Sequence, residues 1–184
     1  MNRIIKVAAL LVGLYSVPAF AALKPGDVAP DFTVQAAVGG KDFSFTLSDA
    51  LKKGPVVLYF YPKSFTSVCT IEAHLFADAA GKFTALGATL IGMSADSIEI
   101  QRDFSAKECR DKFPVAADPT MSTIRAYDAV WTLFNKVEAA MSDRISYVIS
   151  PDGKILSSFA SSAPEKHVET TLAAVKNWHV QAGK

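Results

Sequence analysis

The stretch Pro55–Ala73, PVVLYFYPKSFTSVCTIEA, joins a strand pattern to a helical one through a short turn. Its first part, Pro55–Tyr61, is an almost unbroken run of β-branched and aromatic residues, which is typical of a central strand buried on both faces. Pro62 ends that run, and Cys69 follows a Ser/Thr-containing turn where a helix begins. A cysteine in this place is predicted to be an exposed, reactive thiol rather than a structural residue of the core.

Strand and helix patterns alternate along the rest of the chain. After Cys69, a helical pattern continues to Leu86, and Gly87 ends it. The other predicted elements are a strand near Phe32–Val34, a strand at Phe43 and Phe45, a buried strand over Ala88–Asp96, a helix within Ser97–Phe113, a short strand in Phe113–Pro119, a hairpin over Ser142–Ala160 and a helix over Ala163–Val180. This order predicts one α/β sandwich, with a central mixed β-sheet flanked by helices on both faces.

The first 21 residues have the pattern of a cleavable signal peptide. A basic start precedes an apolar run, and Ala19-Phe20-Ala21 fits the A-x-A cleavage rule. The alternative is an uncleaved membrane anchor, but Gly13 and Pro18 interrupt the run, which is shorter than the ~20 residues that span a bilayer. We therefore expect residues 22–184 to form a single exported domain of 163 residues (184 − 21), in the periplasm.

The charge balance excludes several classes of partner. The chain has 19 Lys and Arg residues against 18 Asp and Glu, and loss of Arg3 and Lys6 with the signal segment leaves a net charge of −1. Because no basic patch or run stands out, we expect neither nucleic-acid binding nor stable membrane association. In an oxidising compartment, however, Cys69 and Cys109 could simply form a structural disulfide.

The position of Cys69 at a helix start favours a thiolate. Unpaired backbone N–H groups and the positive end of the helix dipole lie there. A free thiol with a pKa near 8.5 is only about 3% ionised at pH 7, whereas a pKa of about 6 would make it about 90% ionised. That change corresponds to about 3 kcal/mol, more than a helix dipole normally supplies, so a nearby cation is expected.

Several ordered motifs resemble the peroxiredoxin family, in particular its bacterioferritin comigratory protein or peroxiredoxin Q branch. Pro62–Cys69 matches the pattern P-x-x-x-T-x-x-C at every fixed position. The segments LKPGDVAPDF, LIGMSADS, FPVAADP and DRISYVISPDGKI resemble the entry strand, the middle strands and the arginine-bearing hairpin of that family. The resemblance extends over nearly all of residues 22–184. It implies a thioredoxin-like fold and a thiol-dependent peroxidase acting on hydrogen peroxide and organic hydroperoxides.

The resemblance assigns a role to each residue of the motif. Cys69 would be the peroxidatic nucleophile, and Thr66 would hold the peroxide through its hydroxyl. Pro62 would shield the thiolate from water, and Arg144 would be the expected cation. Taken singly, Thr66 could instead be a helix N-cap, Pro62 a strand terminator and Arg144 a solvated residue. No cofactor or metal is implied, because the sulfur itself does the redox chemistry.

Two further residues of the helix enter this interpretation. Glu72 could complete a helix cap, anchor Arg144 or simply be solvated. His74 stands five residues after Cys69, where many members of the branch carry their second cysteine, so that variant is excluded. His74, His167 and His179 have no metal-ligand spacing with one another or with either cysteine.

The resemblance also implies that Cys109 resolves the oxidised Cys69 as an intramolecular disulfide. The usual segment of the branch places its resolving cysteine directly after a Phe, whereas here Phe104 is followed by Ser105. Cys109 is expected on the same helix, one turn beyond Ser105, where its sulfur could lie on a similar face. The Cα atoms of Cys69 and Cys109 are expected to lie more than ~7 Å apart in the reduced fold, so both segments must unwind locally. A thioredoxin-like protein would be the reductant, and the chain would be a monomer or weak dimer.

Two other functions use the same cysteines. A thioredoxin-like thiol–disulfide oxidoreductase would normally carry C-x-x-C, which Cys69-Thr70-Ile71-Glu72 does not match. An exported, non-enzymatic binding domain could be held together by a Cys69–Cys109 disulfide. Cysteine 109 could also be an inert core residue, which would leave a one-cysteine enzyme.

Overall fold

The computed structural model describes residues 22–133 and 137–183, and the predicted signal segment 1–21 lies outside them. The strands are β1 (Thr33–Val38), β2 (Lys41–Thr46), β3 (Val56–Phe60), β4 (Thr89–Ser94), β5 (Val115–Ala117), β6 (Val130–Leu133), β7 (Val137–Ser142), β8 (Ile145–Ile149) and β9 (Ile155–Ala160). The helices are α1 (Leu47–Leu51), α2 (Ser67–Ala85), α3 (Ile98–Lys107), α4 (Ser122–Ala126) and α5 (Pro164–Gln181).

Seven of these strands form one mixed sheet in the order β2-β1-β5-β4-β3-β8-β9. Strands β3, β4 and β5 are parallel to one another, β8 and β9 continue the sheet antiparallel beyond β3, and β1 and β2 continue it antiparallel beyond β5. The predicted mixed sheet is therefore confirmed. The parallel pairing of β3 with β4 brings the carboxyl ends of both strands to one edge, where α2 begins.

Strand β3 separates two hydrophobic cores, as its apolar sequence predicts. Val56, Leu58 and Phe60 belong to one buried cluster, whereas Val57 and Tyr59 belong to the other. The second cluster also holds the apolar faces of α2 and α5 and contains both cysteines. Because successive side chains of a strand point to opposite faces, β3 is buried on both sides. The site described below lies on the side of the second cluster.

Three features differ from the sequence prediction. The segment between Asp118 and Ser142 contains α4 and a separate two-stranded antiparallel sheet of β6 and β7, neither of which was predicted. The predicted helix over Ser97–Phe113 is shorter, because α3 ends at Lys107. Cys109 therefore lies beyond the helix, and the expected placement one helical turn after Ser105 was wrong.

The end of α3 has a local physical cause. The backbone N–H groups of Glu108 and Cys109 both donate to the carbonyl of Phe104, at 2.9 and 3.0 Å, and the second bond spans five residues, as is typical where a helix ends. Arg110 and Asp111 then take left-handed conformations with φ of 52° and 57°. Residues with side chains rarely adopt this region, and a right-handed helix cannot pass through it.

Within the ranges that the structure describes, no helix combines the length and the apolar character needed to cross a membrane.

Candidate active site around Cys69

The loop after β3 delivers Cys69 into the first turn of α2. Thr66 occupies the N-cap position with an extended backbone, and the first helical hydrogen bond runs from the N–H of Thr70 to the carbonyl of Thr66 at 2.9 Å. The backbone N–H groups of Ser67, Val68 and Cys69 precede that bond, so they have no partner within the helix. The predicted position of the thiol at the positive end of a helix is therefore present.

The thiol itself is not exposed as predicted. Cys69 is 2% exposed and belongs to the second core cluster together with Tyr59, Tyr61 and Phe76. The sequence prediction of an exposed thiol was wrong because the third residue of α2 faces the sheet. Around it, Phe65, Val68 and Ile71 are exposed apolar residues.

Arg144 is the cation beside the thiol. It immediately precedes β8, whose antiparallel pairing with β3 places its start beside the end of β3, from which the Cys69 loop departs. Its Nη2 donates to Cys69 Sγ at 3.3 Å, although the two residues are 75 positions apart in the chain. Arg144 is 8% exposed, so the alternative of a solvated arginine is wrong.

Glu72 anchors Arg144. Arg144 Nη1 donates to Glu72 Oε2, and the Glu72 side chain is fully buried one helical turn after Cys69. The alternatives of a solvated Glu72 and of a helix cap are therefore wrong. Burial raises the pKa of Glu72 to about 8, with the charge and the hydrogen bond of Arg144 opposing the increase.

Thr66 and Pro62 lie in the loop between β3 and α2. The Thr66 hydroxyl donates to the carbonyl of Lys63 at 2.9 Å and makes no side-chain cap of α2. Thr66 thus stands at the N-cap position without performing the N-cap function. Pro62 is half-buried and directly follows Tyr61, whose N–H donates to the carbonyl of Met93 at 3.0 Å and so extends the pairing of β3 with β4.

Polar residues that the sequence analysis did not single out hold this loop. The N–H of Ser64 donates to Asp96 Oδ2 at 2.7 Å, and Ser94 Oγ donates to the same oxygen at 2.9 Å. Phe65 can then adopt its left-handed φ of 62° in a loop that is fixed at its base. The only sequence signal for Asp96 was its place at the end of a predicted strand, the usual edge of an α/β active site.

A second buried network ties the loop to α3 and to β7. Tyr61 Oη donates to Gln101 Oε1 at 2.6 Å, and Gln101 Nε2 donates to Ser94 Oγ at 2.7 Å. From the other side, Ser142 Oγ donates to the carbonyl of Tyr61 at 2.6 Å. The loop that leads to Cys69 is therefore joined through Tyr61 to α3, which precedes Cys109, and to the end of β7, which precedes Arg144.

Cys109 is a second buried free thiol. It is 0% exposed and belongs to the same core cluster as Cys69. Burial, and after it the carboxylates of Glu108 and Asp111, raises the pKa of Cys109 well above its usual value. A neutral thiol is therefore favoured as long as Cys109 stays in this pocket.

A histidine–carboxylate contact and an ion pair join the Cys109 turn to α2. His74 Nε2 lies 2.8 Å from Glu108 Oε2, and Arg110 Nη1 donates to Asp78 Oδ1 at 2.8 Å. His74 and Asp78 are one turn apart on α2, and Glu108 and Arg110 flank Cys109. The pairs are partly or largely exposed, so each contributes only about 0–1 kcal/mol.

The comparisons with known proteins agree with this geometry. Residues 25–158 match the AhpC/TSA family. A chloroplastic peroxiredoxin Q of Gentiana triflora is 33% identical over 154 residues, which cover 83% of this chain and 67% of that protein. The crystal structure of peroxidoxin BcpB from Mycobacterium tuberculosis superposes with a TM-score of 0.74 at 30% identity, covering 84% of this chain and 97% of the other.

A peroxiredoxin Q structure from Xanthomonas campestris gives a TM-score of 0.70 at 27% identity, over 79% of this chain and 91% of the other. The predicted thioredoxin-like peroxiredoxin fold is thereby confirmed. The chain belongs to the AhpC/TSA family, the peroxiredoxins, and is a thiol-dependent peroxidase.

Proposed function

We propose that Cys69 is the peroxidatic cysteine and that the chain reduces hydrogen peroxide and organic hydroperoxides through it. The observation that carries this proposal is the donation from Arg144 Nη2 to the buried Cys69 Sγ at 3.3 Å. A guanidinium at this distance stabilises a thiolate over a thiol. The N–H groups of the first turn of α2 favour the same charge.

In the proposed reaction, the Cys69 thiolate attacks the nearer oxygen of the peroxide. The S–O bond forms as the O–O bond breaks, and the departing oxygen leaves as an alkoxide or hydroxide that takes up a proton. The sulfur is oxidised to a sulfenic acid, and the peroxide is reduced to an alcohol or water. Arg144 is the group placed to stabilise negative charge that develops on the departing oxygen.

Thr66 and Pro62 complete the proposed site. The hydroxyl of Thr66 donates its hydrogen bond to the Lys63 carbonyl, so its lone pairs can accept a hydrogen bond from the peroxide O–H. Pro62 has no N–H and presents an apolar ring at the loop entrance, so it excludes water without competing for the peroxide. These two roles rest on the family motif together with the loop geometry.

We further propose that Cys109 resolves the sulfenic acid. Its thiolate attacks Cys69 Sγ, a disulfide forms and water leaves. In the present fold Cys109 is fully buried and its neutral form is favoured, so the turn that carries it must first leave its pocket. The contact of His74 with Glu108, the ion pair of Arg110 with Asp78 and the burial of Cys109 are the interactions lost when the turn leaves its pocket.

The remaining parts of the proposal follow from the family and from the first residues of the sequence. Two exchange steps with a dithiol of a thioredoxin-like protein would return both cysteines to thiols. Cleavage after Ala21 would place the protein in the periplasm. There it would be a monomer or weak dimer, as the resemblance to the peroxiredoxin Q branch implies. The mass of the protein recovered from the periplasmic fraction and its sedimentation at micromolar concentration test these two points.

Titration with hydrogen peroxide separates the candidate functions. We expect wild-type protein to lose the Cys69 thiol rapidly, and Cys69→Ser to retain the fold while losing peroxidase activity. Turnover by Cys69→Ser near the wild-type rate would overturn the role of Cys69. Thiols that stay inert towards peroxide would instead favour a non-enzymatic domain.

A further inference from the structure

A fully buried polar cluster lies behind Arg144. It contains Glu72 from α2, Ser146 from β8 and His167 from the second turn of α5. His167 Nδ1 lies 2.7 Å from Ser146 Oγ and 4.0 Å from Glu72 Oε1, and its Nε2 lies 2.9 Å from the carbonyl oxygen of Ser161. The peroxidase mechanism above assigns no role to His167.

The hydrogen bonds of His167 determine which nitrogen carries its proton. The Ser161 carbonyl can only accept, so Nε2 must be the protonated nitrogen of a neutral ring. Nδ1 then has a lone pair, which accepts from the Ser146 hydroxyl. Burial lowers the pKa of His167, while the Ser161 hydrogen bond opposes this decrease and the charge of Arg144 adds to it. His167 is therefore a neutral base facing Glu72.

Glu72 has one satisfied and one unsatisfied oxygen. Oε2 accepts from Arg144 Nη1, whereas Oε1 is buried with no hydrogen-bond partner. A buried carboxylate oxygen without a donor is costly; a proton on Oε1 would remove its charge, and a proton on Nδ1 would place a cation 4.0 Å from it. Oε1 lies 4.0 Å from His167 Nδ1, the nitrogen that accepts from Ser146 Oγ.

The charge balance of the site also indicates a proton on Glu72 or His167. When Cys69 ionises, its thiolate and the Glu72 carboxylate are two anions beside one cation, Arg144. Cys69 and Glu72 are 2% and 0% exposed, so water cannot balance the extra charge. One proton held by Glu72 and His167 makes the cluster neutral again.

We propose that Glu72 and His167 form a buried pair that holds one proton while Cys69 is ionised, which makes His167 a positioning residue of the peroxidase site. When Cys69 Sγ loses its proton, the new negative charge is balanced by one proton held on the pair, either on Glu72 Oε1 or on His167 Nδ1. In the second case the Ser146 hydroxyl turns to accept. The charge of Arg144 is then left to the thiolate rather than shared with a second anion.

Few other charges face His167. Its neighbours in the cluster are Glu72 and Arg144, and the more distant carboxylates are Asp143, before β8, and Glu165, on α5. Both of these are exposed, so solvent screens them. On the side of β9, the ring of Phe159 packs edge-on against His167 at 5.1 Å.

The test is the pH profile of Cys69 alkylation in His167→Gln. Glutamine keeps an N–H donor for the Ser161 carbonyl but cannot hold the extra proton. We expect alkylation at pH 6–7 to be slower than in wild type by about tenfold, equivalent to a displacement of about one pH unit. The difference should narrow as the pH rises, because a larger fraction of the thiol then ionises in both proteins. A deficit that is equal at every pH, or no deficit, would overturn the proposal.

Val175→Ala is the matched control, because Val175 is also fully buried on α5, two turns further along, and belongs to the apolar core. It should lower the melting temperature without changing the alkylation profile. If His167→Gln does not fold, ¹⁵N NMR of the His167 ring in wild type and Cys69→Ser gives the answer. We expect the ring to titrate at a different pH in the two proteins, and an identical titration would overturn the pair.

This inference rests on the proposed role of Cys69, and the two can fail separately. If wild-type Cys69 does not react with peroxide, the proposed function fails. If Cys69 reacts and its pH profile is independent of His167, only the proton-holding pair is wrong.

Discussion

Replacing Arg144 with Met removes the guanidinium that donates to Cys69 Sγ while keeping much of the side-chain volume. A hydrogen bond to a charged group contributes about 1.5–3 kcal/mol. Since this bond is made to the reacting thiolate, its loss should slow the reaction of Cys69 with hydrogen peroxide by about 10- to 150-fold. The slower reaction should be accompanied by slower alkylation of Cys69 at pH 6.

The assay is the second-order rate of Cys69 oxidation, followed by mass spectrometry of quenched samples. Arg125→Met is the matched control, because Arg125 is exposed on α4, a different element from those that carry Cys69, Glu72 and Arg144, and donates to the Thr120 carbonyl at 3.2 Å. We expect this control to react as the wild type does. A rate for Arg144→Met within about threefold of wild type would refute the reasoning, because it corresponds to less than 1 kcal/mol.

Three further predictions concern the second thiol, its turn and the buried carboxyl. Cys109→Ser should react once with peroxide and then accumulate Cys69 sulfenic and sulfinic acid. Wild-type protein treated with one equivalent of peroxide should instead show a Cys69–Cys109 disulfide in its mass spectrum. Overoxidised Cys69 with alkylatable Cys109 in the wild type would make this a one-cysteine enzyme. His74→Ala removes the contact with Glu108 and should speed disulfide formation by up to about fivefold, as expected for a partly exposed pair of about 0–1 kcal/mol. The control Lys52→Ala, which removes the exposed pair with Asp49 on α1, should leave the rate of disulfide formation unchanged. The pKa of Glu72 is raised from 4.5 to about 8, so between these pH values the folded state binds more protons than the unfolded state, and the free energy of unfolding should fall as the pH rises. Urea unfolding of Glu72→Gln at several pH values should show a weaker fall than that of the wild type. An equal fall in both proteins would contradict the assignment.

Local sequence patterns were sufficient for the sheet and for the first-turn cysteine. The unbroken apolar run of β3 predicts a strand buried on both faces, at the centre of a sheet, and the turn after it predicts where α2 begins. Arg144 and Glu72 were found through the motif and a charge requirement. Their contact could not be derived from spacing, since 72 residues separate them and only the pairing of β8 with β3 brings them together.

The errors arose where tertiary packing determines the local structure. Cys69 was expected to be exposed because its neighbours in sequence are polar, but its neighbours in space are Tyr59 and Phe76. Cys109 was placed on a helix because it lies within the helical pattern over Ser97–Phe113; the left-handed conformations of Arg110 and Asp111, which end the helix, are rare for residues with side chains and have no sequence signal here. His167 was considered only as a metal ligand, since no pattern in the sequence links α5 to Glu72.

The chemical fate of Cys69 tests the central claim most directly. Cys109→Ser protein, treated with one equivalent of hydrogen peroxide in the presence of dimedone, should gain a single adduct, and peptide mapping should place it on Cys69. Cys69→Ser under the same conditions should gain none. An unmodified Cys69 after the peroxide has been consumed would contradict the account.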